Sequence, residues 1–181
     1  MQIETFHISG PIVIKPKVFS DERGHFFESY NEEKVKELGI VFDFVQDNQS
    51  LSSKGTVRGL HFQAPPFDQG KLVRVARGAV LDIIVDIRKT SPTYGQSICV
   101  ELSETNFKQL WVPPGFAHGF SVLQDHTIFQ YKCTNYYDKA SEGGILFNDP
   151  DLALNWQVDR AIVSEKDLLL YQLKDLISPF E

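Results

Sequence analysis

Short apolar runs separated by turn residues dominate the chain, and many of them alternate with polar positions at the period of two expected of a half-buried strand. HFFESY, DFVQDNQSLS, TVRGLHFQ, KLVRVA, AVLDIIVDI, SICVEL, QLWVP, HGFSVL and TIFQYKCTNYY follow one another in this way. Ile12, Ile14, Val18 and Phe19 predict one or two earlier strands, interrupted by Pro11 and Pro16, because sheets accept proline mainly at edges and bulges. About ten such runs at hairpin spacing point to an all-β sandwich or barrel. Arg77-Gly78 and Pro113-Pro114-Gly115 supply tight turns. One helix is expected early, with Asn31 as its N-cap, Glu32 and Glu33 in its first turn and Gly39 closing it. A second is expected from Ser164, ahead of the apolar run Leu168 to Leu170. The helices are therefore accessories to a barrel whose interior can hold one small ligand.

With 181 residues, 42% of them hydrophobic, the chain can bury one sizeable core, and a single domain over 1–181 is expected. No repeat, low-complexity tract or linker interrupts it. The net charge of −6 argues against a nucleic-acid surface, although Arg74 and Arg77 could still meet a phosphorylated small molecule. No stretch has the length and apolarity of a signal peptide or membrane span, so no membrane partner and a cytosolic location are expected. Cys99 and Cys133, each within an apolar or aromatic run, read as buried thiols of a reducing compartment. Asn48-Gln49-Ser50 matches the glycosylation acceptor pattern, an accidental match without a secretion signal.

The run RGLHFQ, Arg58 to Gln63, carries the clearest chemistry, with Lys71 following in GKLVRV. A base between cations on neighbouring strands suits proton removal from carbon beside a carbonyl in an anionic substrate. Strict alternation would put Arg58 and His61 on opposite faces unless a bulge re-aims one of them. A lone inward histidine is more often a satisfied core residue than a catalyst. Metal-binding barrels usually carry a His-x-His pair with a later Glu and His, whereas here Gln63 replaces the second histidine and Lys71, which repels a cation, stands nearest the carboxylate's place. His118 alone does not complete a site, and no metal is expected. Asp82 and Asp86 share a strand face, which suits either glycoside chemistry or, more simply, ion pairs with Arg74, Arg88 or a lysine. Tyr131, Tyr136 and Tyr137 read as core or interface aromatics, although a tyrosine beside a carbonyl can also give up a proton. No P-loop or dinucleotide fingerprint is present.

FSDERGHFFESYN, FVQDNQS, VRGLHFQ, GKLVRVARG, DIRKTSPTYGQ, LWVPPGFAHGF, YKCTNYYDKASEGGILFNDPDL and SEKD occur in this order, and together they resemble the dTDP-4-dehydrorhamnose 3,5-epimerase family from about Pro16 to Asp167. The resemblance implies a cupin-like jelly-roll barrel, free of metal and cofactor, acting as a homodimer in deoxysugar synthesis. The reaction would convert dTDP-4-dehydro-6-deoxy-D-glucose to dTDP-4-dehydro-L-rhamnose. It implies His61 as general base, Asp167 as the carboxylate that orients it, Tyr131 as proton donor on the opposite sugar face and Lys71 beside the carbonyl. Arg23, Glu28, Gln46, Asp47, Asn48 and Arg58 would contact the nucleotide sugar, with His118, Glu142 and Lys166 near it and Tyr137 stacked on thymine. The N-terminal strands would exchange between subunits, so that Arg23 and Glu28 complete the partner's site. Of the adjacent Phe26 and Phe27, one is expected in the core. Phe147 and Asn155-Trp156 depart from the family pattern without touching the proposed chemistry.

The chemistry fits those assignments. A proton beside a ketone becomes removable when the enolate oxygen is stabilised as it forms, which an ammonium can do. An imidazole held by a carboxylate removes it, and a phenol on the other side returns one. One ketone thus explains inversion at both flanking carbons. The rivals are an epimerase of carbon 3 alone, a metal-dependent cupin oxygenase and a non-catalytic sugar-nucleotide-binding module.

Overall fold

A computed structural model describes residues 2–181. In chain order its strands are β1 (Gln2–Thr5), β2 (Ile12–Lys15), β3 (Phe19–Asp21), β4 (Gly24–Phe26), β5 (Gln46–Ser52), β6 (Val57–Gln63) and β7 (Lys71–Arg77). There follow β8 (Ala79–Asp86), β9 (Ser97–Ser103), β10 (Gln109–Val112), β11 (Phe116–Val122), β12 (Thr127–Cys133) and β13 (Glu142–Gly144). One helix, α1 (Glu32–Glu37), lies between β4 and β5. Asn31 caps it by accepting the Lys34 N–H, and Gly39 leaves it with φ +83°, as expected from the sequence. The second expected helix is only a 3-10 turn over Asp167–Leu169. The Ser164 hydroxyl accepts from the Asp167 N–H, but the N-cap position is Lys166, without a side-chain cap, and Leu168 and Leu169 are exposed and give no buried face to prolong the turn.

All ladders between named strands are antiparallel. They form a six-stranded sheet in the order β1-β2-β10-β7-β12-β5, a five-stranded sheet in the order β13-β6-β11-β8-β9, and the β3-β4 hairpin. Strands β5 to β12 are dealt four to each sheet in jelly-roll order, with β1, β2 and β13 extending the edges. Val73, Val75, Leu110 and Phe129 from the first sheet pack against Val80, Ile84, Phe116 and Phe120 from the second. The outer face of the five-stranded sheet is buried too, where Leu81, Ile83 and Val85 meet Ile145, Trp156 and Phe180 of the C-terminal segment. That second layer makes every residue of β8 buried and explains its nearly unbroken apolar run.

Two local expectations are corrected. Cys133 is buried, but Cys99 is exposed: β9 is an edge strand that turns Ile98, Val100 and Leu102 inward and Cys99 with Glu101 outward. Asp86 does pair with Arg88, whereas Asp82 has His118 as its hydrogen-bond partner rather than an arginine or lysine.

Candidate active site

Between the sheets lies a cavity of about 610 Å³. His61 and Arg58 line it from β6, His118 from β11, Lys71 from β7 and Tyr131 from β12, with Lys166 and Asp167 closing it from the C-terminal segment. Arg58 and His61 share the cavity because of a bulge. His118 and Phe120, two apart on β11, stand opposite His61 and Arg58, three apart on β6, so β6 carries one extra residue there. The bulge needs glycines on both strands. Gly59 has φ +115°, and a Cβ on it would meet Gly119 Cα at 2.6 Å, while one on Gly119 would meet the Arg58 carbonyl at 2.7 Å.

His61 Nε2 lies 2.7 Å from Asp167 Oδ1, and the Gly59 N–H donates to Asp167 Oδ2 at 3.3 Å. Burial works to raise the Asp167 carboxyl, but hydrogen bonds from His61, Gly59 and Ser164 outweigh it and hold the group below the usual carboxylate range. With Nε2 engaged, Nδ1 is the His61 nitrogen free to take a proton from a ligand. Across the cavity, burial and the nearby Cys133 push the Tyr131 phenol up, so it stays protonated through neutral pH. Lys71 stands opposite Cys133 on the adjacent strand. Burial pushes its ammonium down, against the pull of Cys133, Asp82 and Glu142. A base, an acid and an enclosed cation thus converge on one space.

At the rim, Tyr137 donates its hydroxyl to Glu142 at 2.9 Å and Lys166 pairs with the same carboxylate at 2.6 Å. The bond to Glu142 raises both the Tyr137 phenol and the Lys166 ammonium. Tyr137 remains 55% exposed, leaving its ring free to stack on a base. Gln46 accepts from the Tyr137 backbone N–H and donates to Asn48, and Asn48 donates to Cys133 Sγ.

Arg23, Glu28, Gln46, Asp47, Asn48, Tyr137 and Glu142 do not line this cavity in the chain that carries them. Asp47 alternates to the outer face of β5, where it pairs with Lys132 at 3.0 Å and lines a separate cavity of about 370 Å³. Arg23 sits on the β3-β4 hairpin beside Asp21 with an 85% exposed side chain. Glu28 pairs with Lys34. Of the adjacent phenylalanines, Phe26 is 68% exposed, while Phe27 packs edge-on against Phe107 at 5.3 Å. Asp82 is the site residue whose importance the sequence reading passed over. Its signal was a carboxylate inside an otherwise apolar strand, which must find a partner when buried. Among the described residues no three His, Cys, Asp or Glu side chains converge as a metal-binding group, and no helix is long and apolar enough to cross a membrane.

The family described as dTDP-4-dehydrorhamnose 3,5-epimerase matches residues 5–175. An enzyme of that name from Salmonella typhimurium is 56% identical over 146 residues, 80% of each chain. The crystal structure of dTDP-6-deoxy-D-glucose-3,5-epimerase from Legionella pneumophila, in complex with dTDP-4-keto-L-rhamnose, is 47% identical with a TM-score of 0.93, covering 98% of this chain and 94% of that one. A dTDP-4-dehydrorhamnose 3-epimerase from Streptomyces niveus is 35% identical over 97% of this chain and 86% of its own.

Proposed function

The chain belongs to the dTDP-4-dehydrorhamnose 3,5-epimerase family and is an epimerase of carbons 3 and 5 of dTDP-4-dehydro-6-deoxy-D-glucose; from that premise we propose how its cavity works. One observation carries the reading: the His61–Asp167 pair on the five-stranded side faces Tyr131 on the six-stranded side, with Lys71 enclosed between the sheets. His61 Nδ1 removes the proton beside the ketone, and Asp167 stabilises the imidazolium that forms. Lys71 holds the ketone oxygen as it becomes an enolate, a contribution of a few kcal/mol, about 3, in a closed site. Tyr131 then protonates the carbanion from the opposite face, which inverts the centre. The same ketone acidifies carbons 3 and 5 alike, so one set of groups serves both.

The diphosphate is held by the Arg58 fork and Lys166. Lys166 has to leave Glu142 to reach it, and Tyr137 takes the thymine. Arg23 and Glu28 serve a second copy of the chain: their exposure, together with the fully exposed edge strand β1, supports a homodimer with exchanged N-terminal strands. Inversion of carbon 3 alone is the weaker reading, since the relative so named is 35% identical against 56% for the double epimerase. Proton NMR of the substrate pool in deuterium oxide tests the choice. Deuterium is expected at carbons 3 and 5, and label confined to carbon 3 would refute the double inversion.

A further inference from the structure

One charge in the cavity wall has no part in the roles above. Asp82 lies in the middle of β8 with no exposed surface, amid apolar neighbours, where an unpaired carboxylate is strongly disfavoured. Both its oxygens are 3.0 Å from Nε2 of His118. His118 is itself buried, lines the cavity and stands directly opposite His61. With Nε2 turned into the wall, Nδ1 is the ring nitrogen left for a ligand.

The charged and titratable groups around this spot come from every neighbouring element. They are Lys71 on β7, Arg58 and His61 on β6, Cys99 on β9, Tyr131 and Cys133 on β12, Glu142 on β13, and Lys166 and Asp167 on the C-terminal segment. Burial disfavours the Lys71 ammonium, and Cys133, Asp82 and Glu142 work against that loss. Asp82 shares the inward face of β8 with Val80 and Ile84, which pack against Val73 and Val75 on the face of β7 that carries Lys71, so its carboxylate is turned toward the strand whose ammonium it supports.

Resting on the epimerase reading, we propose that Asp82 is a positioning residue with two effects. It fixes His118 in the tautomer that donates Nε2–H into the wall and offers Nδ1 as an acceptor to a hydroxyl of the bound hexose, and it keeps Lys71 a cation while the enolate forms. A neutral wall would leave the His118 ring free to turn and Lys71 easier to deprotonate.

Two measurements test this. Two-bond proton–nitrogen NMR of the labelled wild type at neutral pH should show His118 protonated at Nε2 and bare at Nδ1; a proton on Nδ1, in either the other neutral tautomer or the imidazolium, overturns the assignment. In Asp82→Asn, kcat/KM should fall about tenfold or more, and the alkaline limb of the kcat profile should move down by about one pH unit. A limb that stays in place contradicts the proposal whatever the loss in rate, because a purely structural defect lowers activity without moving it. The wild-type spectrum decides even if the variant fails to fold. Wild-type deuterium exchange at carbons 3 and 5 distinguishes failure of this proposal from failure of the epimerase reading.

Discussion

Two histidine–aspartate pairs face each other across the β6–β11 ladder, alike in composition and opposite in electrostatics. In the His61–Asp167 pair the carboxylate gains hydrogen bonds from the imidazole, from the Gly59 N–H and from Ser164, and these overcome burial to keep it ionised. In the His118–Asp82 pair burial pushes the Asp82 carboxyl up, and its one hydrogen-bond partner among the described residues, His118, acts with the Lys71 ammonium to pull it back toward the ionised form. Donor count and depth of burial together separate the two. Asp86, four residues along the same strand, makes the point again: burial opposes its ionisation, yet Arg88, Ser91 and Thr93 together bring it to about 2.

If the first pair removes protons and the second only holds the ligand, the two histidines should fail differently. His61→Asn should lower kcat by about 10³-fold, within the usual contribution of a general base. His118→Asn should cost about tenfold, mainly in KM, as expected from one lost hydrogen bond to substrate. Initial rates measured by NMR on both variants check this, and equal losses in kcat would erase the distinction between the pairs.

The pH profile sharpens the comparison next. Lys71 is pushed below the ordinary lysine value and Tyr131 above the ordinary phenol value. As pH rises, Lys71 therefore loses its proton first, and kcat should fall through an alkaline limb below pH of about 10.4. Lys71→Met should lower kcat about 10²-fold and abolish that limb. If the limb survived in the variant, another group would own it.

The smallest effect concerns stability. The folded Asp86 carboxyl titrates at about 2 against an ordinary value of 3.8, so its contribution is fully present above that ordinary value and is lost as pH falls toward 2. Asp86→Asn should cost about 2 kcal/mol at neutral pH. The difference from wild type, followed by urea unfolding, should narrow in acid. An unchanged midpoint would show that its donor set is not stabilising.

The strand pattern made most of the barrel legible, since β6, β7, β11 and β12 each alternate or run apolar as strands do. His61, Lys71, Tyr131 and Asp167 were legible as candidates through motif order. Alternation alone failed where one extra residue mattered: the Gly59–Gly119 contact that unites Arg58 with His61 depends on two backbones meeting from distant segments. The motif Gln46-Asp47-Asn48 is contiguous in sequence but divided in space, because a strand sends its middle residue, Asp47, to the other face. Cys99 looked buried because its run is apolar, but an edge strand leaves one face open. Asp82 looked like an ordinary ion-pair residue because its partner, His118, comes from a strand more than thirty residues later.

The central claim is that base and acid work from opposite sheets on one ketone-activated carbon. Tyr131→Phe, assayed by NMR in deuterium oxide, tests it most directly, because it removes the donor and leaves His61, Asp167 and Lys71 intact. Formation of inverted product should fall about 10²-fold or more, while solvent deuterium still enters beside the ketone. Inverted product formed at the wild-type rate would contradict the assignment.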